Sequence, residues 1–446
     1  MATSTGAPAL SGFALEVAQA LLQSAEALHK LTETGGYAGV YKSNGTQYGE
    51  SSSQGLAEDQ IWVQPPGTPA IADSLIRTYE LTKDTKVLGY AVEAGQALAN
   101  AQLASGGWNY IGDGDGTARS AKSPYTTYDD MVTQGALDAL MHLDKYVDAA
   151  WLTSSIKASL DFVVSSQTAS GGWQQSYGSG APEYRYLLTF NDGAMNGTID
   201  TMFRAYAQYG ERAYLVTALE GADFILKTQI TSNGQAGWAA QYDSNLKPAA
   251  GRSFEPVAID SAVTADNIRT LLETYLITGN PKYLAPIKPA LDWLDSVKLG
   301  NDEYSRFYEL GTDRPVYGKR DGTIVYDYSK FPASDKNHYA WQDDFNVAEA
   351  KADYELVMSL GRDGYLAKHP LFVNTTLDQP LYDSETSAKT ESSLQKSAAG
   401  IIDDLSSDGY WKSGTDITEK EFYENTTLLQ DYLKKVTGSG GGTVPD

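Results

Sequence analysis

Three segments, AQLASGGW, SQTASGGW and TQITSNGQAGW, set Trp108, Trp173 and Trp238 at successive intervals of 65 residues, with Gln102, Gln167 and Gln229 just upstream. Between the markers lie pairs of helix-period segments: 128–147 (YDDMVTQGALDALMHLDKYV) with 150–166, then 192–209 with 211–228. Similar pairs fall at 70–82 with 85–103 and at 260–277 with 281–298, each closed by Gly-rich polar loops. Each unit is therefore predicted to be a helical hairpin. A hairpin cannot bury its apolar face alone, so several must stack. Stacked pairs that close on themselves form an (α/α) toroid whose inner helices present their ends to a cleft; an open solenoid is the alternative. The segment 301–342 is richer in Tyr, Gly and β-branched residues and is predicted to be a long loop with short strands. The expected class is all-α, with a few short strands in long loops. One catalytic domain is expected over 1–436, and 437–446 (TGSGGGTVPD) reads as the remnant of a flexible linker.

Charge and composition narrow the function. The 34 basic against 57 acidic residues give a net charge of −23, which argues against nucleic acid or an anionic membrane as partner. There is no cysteine, and only four histidines (His29, His142, His338, His369) remain for zinc or a triad. No stretch approaches the roughly 20 apolar residues of a membrane span. The opening MATSTGAPALSG lacks the basic and apolar regions of a signal peptide. The chain reads as a trimmed, secreted protein with its signal peptide absent, and a monomer is expected.

Within the repeat, YDDMVTQ (128–134) and FNDGAMN (190–196) occupy corresponding places, Asp129 and Asp192 being 63 residues apart in a repeat of 65. A lone acid at a helix start ordinarily satisfies free N–H groups. Two such starts in one toroid would face the same cleft, so that Asp129, Asp130, Asn191 and Asp192 are candidates to converge on a cation or a polar substrate. Cations come from the other half. Residues 247–320 carry ten Lys/Arg and ten Asp/Glu, so the acidic excess lies elsewhere, and several of the cations sit in loops: Lys247 and Arg252 in LKPAAGRSFEP, Arg306, Arg314, Lys319 and Arg320 in YSRFYELGTDRPVYGKRDG. Loop arginines beside Gly and aromatics suit bidentate capture of carboxylates. For Arg314, bracing an acid such as Glu255, Asp313 or Asp321 is the equal alternative. Trp173, Tyr177 and Trp238 are read two ways, as rings lining a sugar groove or as wedges between hairpins. GDGDG (112–116) lacks the twelfth-position Glu of an EF-hand and is read as a turn.

Taken in order, GGWQQSY, TFNDGAM, GWAAQYD with LKPAAGRSFEP, SRFYELGTDRPVYGKRDGTIVYDYSKF and HYAW resemble the successive blocks of the family 10 polysaccharide lyases, over roughly Tyr110 to Trp341. The resemblance implies an (α/α)3 toroid, a secreted pectate lyase, and Ca2+-dependent β-elimination of polygalacturonate. By position it implies Arg252 as the proton-abstracting residue, Asp129 and Asp192 as holders of calcium or substrate, and Arg306 and Arg320 as uronate clamps. Lys247, Asn191, Asp130, Trp173 and Tyr177 complete the expected substrate contacts. The block YDD stands where the family usually has Asp-Asn, so the added charge of Asp130 would either tighten a cation or repel a uronate. From chemistry alone, Lys247 or a tyrosine is as acceptable a base as Arg252, since arginine is normally protonated with a pKa of roughly 12.5 to 13.8. Two other classes stay open: an inverting glycoside hydrolase using Asp129 or Asp130 with Asp192, and a non-catalytic uronate-binding protein.

Overall fold

The computed structural model describes residues 10–51, 53–116, 125–372, 381 and 389–438. The expected linker beyond Gly438 lies outside the described residues. Thirteen α-helices among the described residues carry the fold: α1 (Phe13–His29), α2 (Thr68–Thr82), α3 (Thr85–Asn100), α4 (Val132–Asp144), α5 (Ala150–Ser166), α6 (Ala194–Tyr209), α7 (Arg212–Thr228), α8 (Ser261–Thr278), α9 (Ile287–Val297), α10 (Ala333–Lys336), α11 (Val347–Leu366), α12 (Glu391–Asp403) and α13 (Glu419–Thr437). The strands are two to four residues long and lie in the connections. The chain forms two compact units, one made of residues 1–162 with the C-terminal helices, the other of residues 163–374.

In the first unit, α2 packs against α3, α4 and α13. Helix α2 is buried nearly all round, from Thr68 to Thr78, and so is α4, from Val132 to Leu143. Helix α3 buries only the stripe Val87, Tyr90, Ala91, Ala94, Ala97 and Leu98. The second unit repeats the distinction. Helices α6 and α8 are buried on most sides and carry polar residues inward (Asn196, Thr198, Thr201; Thr264, Asn267, Thr270, Glu273), whereas α7 and α9 bury one apolar stripe each. An all-round buried helix is an inner layer and a striped one an outer layer, so each hairpin contributes its first helix inward and its second outward.

The 65-residue marker has a structural cause. The indole N–H groups of Trp108, Trp173 and Trp238 donate to the carbonyls of Leu98, Val163 and Ile225, at 2.7, 3.0 and 2.8 Å, near the end of the preceding outer helix. All three rings are 0–1% exposed, so they plug the hairpin ends and satisfy carbonyls that the helix leaves open. Gln102 and Gln167 donate to the carbonyls of Gly106 and Gly171 in their own turns and to Ser155 and Thr217 of the next outer helix. Those glycines hold φ of 103° and 101°, and a Cβ would meet the Ala158 and Glu220 carbonyl oxygens at 2.3 and 2.2 Å. Only glycine fits there. Trp173 therefore packs between helices and offers no face to a sugar, which corrects its expected place among the substrate contacts. Truncating any of these tryptophans to alanine is expected to cost roughly 3–5 kcal/mol.

The segment 301–342 folds as foreseen, into short strands. Phe307–Glu309 pairs antiparallel with Ala258–Asp260 on one side and with Pro315–Gly318 on the other, and Ile324–Val325 extends the sheet. The register sets Asp260 opposite Phe307, which brings Arg306 to the start of α8.

Candidate active site

In the first unit, a single turn of 3-10 helix, Asp129–Met131, leads into α4. Asp130 and Met131 are left-handed, with φ of 51° and 59°. Asp129 is 4% exposed and its backbone N–H donates to Thr127 Oγ1 at 3.2 Å. The Tyr110 hydroxyl lies 2.6 Å from Asp129 Oδ2 and 2.9 Å from Asp130 Oδ2, so the two carboxylates lie against one phenol. The N-cap residue of α4 is Met131, itself left-handed.

In the second unit, the turn Asn191–Gly193 leads into α6 in the same way. Asp192 and Gly193 are left-handed, at φ 52° and 71°. Asn191 is buried, and its N–H donates to Thr189 Oγ1 at 3.2 Å. The backbone thus matches Asp130 with Asp192 and Asp129 with Asn191, a spacing of 62, and corrects the pairing of Asp129 with Asp192 by one residue. A left-handed non-glycine residue is tolerated best as Asn or Asp and still carries strain. The N-cap residue of α6 is Gly193, and Asn191 Nδ2 donates to Asp192 Oδ2 at 2.6 Å. At α8 the bland role of a helix-start acid is filled: Asp260 Oδ1 accepts from Ala262 and Val263 N–H at 2.9 and 3.2 Å.

Arg306 lies between the starts of α6 and α8. Its Nε donates to Asp260 Oδ2 at 3.2 Å and its Nη2 to Asn191 Oδ1 at 3.3 Å, while the guanidinium stands 4.4 Å from the Tyr339 ring centroid. Burial opposes the charge, but Asp260, the Tyr339 hydroxyl and Asp192 outweigh it and push the arginine further up from its ordinary pKa. Asp260 itself is pushed above the ordinary carboxylate range by complete burial, against the pull of Arg306.

Arg252 is held as firmly. Glu255, 2% exposed, accepts from the Arg252 backbone N–H at 2.7 Å through Oε2 and from its Nη2 at 2.6 Å through Oε1. The Tyr339 hydroxyl donates to the same Oε1 at 2.9 Å. The Arg252 guanidinium lies 4.9 Å from the Phe254 ring and 5.5 Å from that of Tyr339. Burial works against both members of the ion pair. The contact overcomes it, holding Glu255 below the usual carboxylate range and Arg252 above its ordinary value. One tyrosine ring therefore backs two arginines. Neither Tyr339 nor Asp260 stood out in the sequence, because their roles depend on strand pairing and on the return of the HYAW segment.

The remaining candidates have other partners. Arg320 is exposed, its N–H 3.3 Å from Asp335 Oδ1 and its carbonyl accepting from Ser253 Oγ. Its charge, after burial, is the next largest influence holding the His338 pKa down. Lys247 lies in an exposed turn with its N–H on Asp243 Oδ1 at 2.9 Å. The Tyr177 hydroxyl donates to the Ser166 carbonyl at 2.8 Å, which ties it to the end of α5. Arg314 braces an acid, but the acid is Glu309, with Nε and Nη2 at 3.0 and 2.9 Å from Oε2. GDGDG runs from a short strand into a turn.

Comparison with known proteins gives the family and the fold. The family model for pectic acid lyases matches residues 109–306 and 296–348, more than half of the chain. The chain belongs to the pectic acid lyase family and is a polysaccharide lyase acting on pectate. No curated protein matches it. Among solved structures, the family 10 polysaccharide lyase from Cellvibrio cellulosa is similar at 18% identity with a TM-score of 0.51, covering 68% of this chain and 99% of the other. A variant of that lyase in complex with trigalacturonic acid gives 18% identity and a TM-score of 0.50, covering 65% and 98%. A D-mannose isomerase reaches a TM-score of 0.50 at 12% identity, covering 96% and 100%. The shared fold is of the (α/α) toroid class, and it recurs across unlike chemistries, so function rests on the family and the site.

Proposed function

We propose that the chain cleaves α-1,4-polygalacturonate by Ca2+-dependent β-elimination, with Arg252 as base, Arg306 and Arg320 on uronate carboxylates, and Asp130 and Asp192, supported by Asp129, as the cation ligands. The observation that carries the reading is the pair Arg252 and Arg306, both backed by Tyr339 and both within the field of Asp192. A site for a polyanion needs fixed cations, and a hydrolase would leave these arginines without work.

The donors suit calcium. They are all carboxylate oxygens, the ligand type that calcium takes. Bound there, calcium would neutralise the uronate carboxylate and make the C5 proton more acidic. Arg306 orients the sugar through its planar fork, kept in place by Asp260 and Asn191. Arg252 takes the C5 proton. The C–H electron pair becomes the C4=C5 double bond, and the C4–O bond breaks, its oxygen being protonated from water. Glu255 and Tyr339 fix the direction of the guanidinium. Because the same contact keeps Arg252 charged, neutral arginine is scarce and turnover rises with pH. The substrate is a polymer too large to cross a membrane, so secretion belongs to this reading, as does action as a monomer.

The test is absorbance of the new C4=C5 bond during digestion of polygalacturonate, with and without chelator. Absorbance that vanishes on chelation and returns with calcium supports the reading. Reducing ends without absorbance would mark a hydrolase, and full activity in excess chelator would remove the metal.

A further inference from the structure

We infer that Phe345, at the start of α11, is a substrate-contacting residue that stacks on a pyranose ring of the bound uronate chain and contributes to specificity for it; the inference rests on the function proposed above. Phe345 and Asn346 are consecutive left-handed residues, with φ of 47° and 55°. That is the turn found at Asp130-Met131 before α4 and at Asp192-Gly193 before α6. In two of the three places, the first left-handed residue is an acid of the proposed site; in the third it is an aromatic ring.

Arg306 supplies an observation independent of backbone shape. It bonds to Asn191 at the start of α6 and to Asp260 at the start of α8, and its guanidinium lies 5.8 Å from the Phe345 ring centroid at the start of α11. One proposed uronate clamp thus bonds to the starts of α6 and α8 and faces the ring at the start of α11. The ring is half-buried, whereas the neighbouring Asp343, Asp344 and Asn346 are exposed and Val347 is buried. A bulky residue with positive φ is an outlier whose cost a purely structural position would shed by taking Gly or Asn. Beside a carboxylate clamp, a flat apolar ring complements the other half of a uronate, the C–H groups of its pyranose. Clamp and ring together select a charged sugar over a small anion, which offers no such face, and over a neutral sugar, which has no carboxylate.

Glycine adopts this φ without strain, so Phe345→Gly removes the ring without moving the backbone. The experiment is calorimetric binding of trigalacturonate to wild type, Phe345→Gly, Phe345→Tyr, Arg306→Ala and the double variant Phe345→Gly/Arg306→Ala. The expected results are a loss of about tenfold for Phe345→Gly, recovery to within about twofold for Phe345→Tyr, and the same further tenfold loss in the Arg306→Ala background. Small carboxylates without a sugar ring, such as acetate, should compete equally poorly against wild type and Phe345→Gly. Wild-type affinity in Phe345→Gly overturns the inference. If Arg306→Ala also binds normally, the proposed site falls with it; if Arg306→Ala alone loses affinity, the site stands without Phe345. No further loss in the double variant would show that the ring only steadies Arg306, and this too overturns the inference.

Discussion

The starts of α4 and α6 have nearly the same backbone and different chemistry. Each has a threonine hydroxyl 3.2 Å from the N–H of a buried residue, followed by a left-handed aspartate, Asp130 with φ 51° and ψ 31°, Asp192 with φ 52° and ψ 37°. The buried residue differs. It is Asp129 in one unit, against the Tyr110 hydroxyl, and Asn191 in the other, against Arg306. A carboxylate at position 191 would join Asp260 as a second acid on Arg306 and weaken its hold on substrate, whereas an amide oxygen orients the guanidinium and leaves its charge for the uronate. Where the neighbour is a phenol, a carboxylate is stable and adds charge. Repetition thus preserved the turn and the left-handed acid, and the buried position diverged with its surroundings.

The comparison breaks most severely at the left-handed acids. Asp192→Ala is expected to lose most turnover on polygalacturonate while remaining folded by circular dichroism, since the side chain is exposed. A folded variant with normal rates would remove Asp192 from the site.

Next in size is Arg252. Arg252→Ala should lower kcat by about 10²–10⁴, and Arg252→Lys nearly as much, because a shorter amine points elsewhere. Trigalacturonate binding should survive in both. In wild type, kcat should rise with pH above neutrality: the active form is deprotonated and the Glu255 contact moves the pKa up, so the neutral fraction grows throughout the alkaline range. A flat profile from pH 7 to 10 would assign the proton transfer elsewhere.

A smaller effect sharpens the contrast between Asn191 and Asp129. Asn191→Asp should weaken trigalacturonate binding by about tenfold through a second acid against Arg306. Asp129→Asn, the reverse exchange, should change turnover by less than about fivefold if Tyr110 and Asp130 keep their places. Calorimetry and initial rates on the two variants check the pair, and equal losses would erase the distinction.

Much of the fold was legible because helix periodicity is local. The four hairpins fall close to their expected positions, and the displaced ends have visible causes. Helix α4 starts at Val132, four residues after the periodic segment begins, because residues 129–131 are taken by the 3-10 turn. Helix α9 starts at Ile287, after a 3-10 turn at Pro281–Tyr283 and behind Pro286. Helices α1, α10, α11, α12 and α13 lie outside the marked repeat and were not foreseen. Of the candidates, Asp130 and Asp192 come from the repeat and Arg252 and Arg306 from the loop cations and the family blocks, and the structure sets both arginines against Tyr339. The site was opaque where a partner arrives through tertiary pairing. Asp260 reaches Arg306 because two strands align, and Glu255 reaches Tyr339 across 84 residues. The one-residue error in matching Asp129 to Asp192 arose because repeat length was weighed above the alignment of YDD with FND, which shows the register directly.

Calcium titration of three single variants, each carrying one Asp→Asn change that preserves size, tests the central claim most directly. Asp130→Asn and Asp192→Asn are each expected to weaken calcium binding by at least about tenfold, and Asp129→Asn to stay within about threefold of wild type. Equal loss at Asp129 and Asp130, or undiminished binding in Asp192→Asn, would contradict that claim.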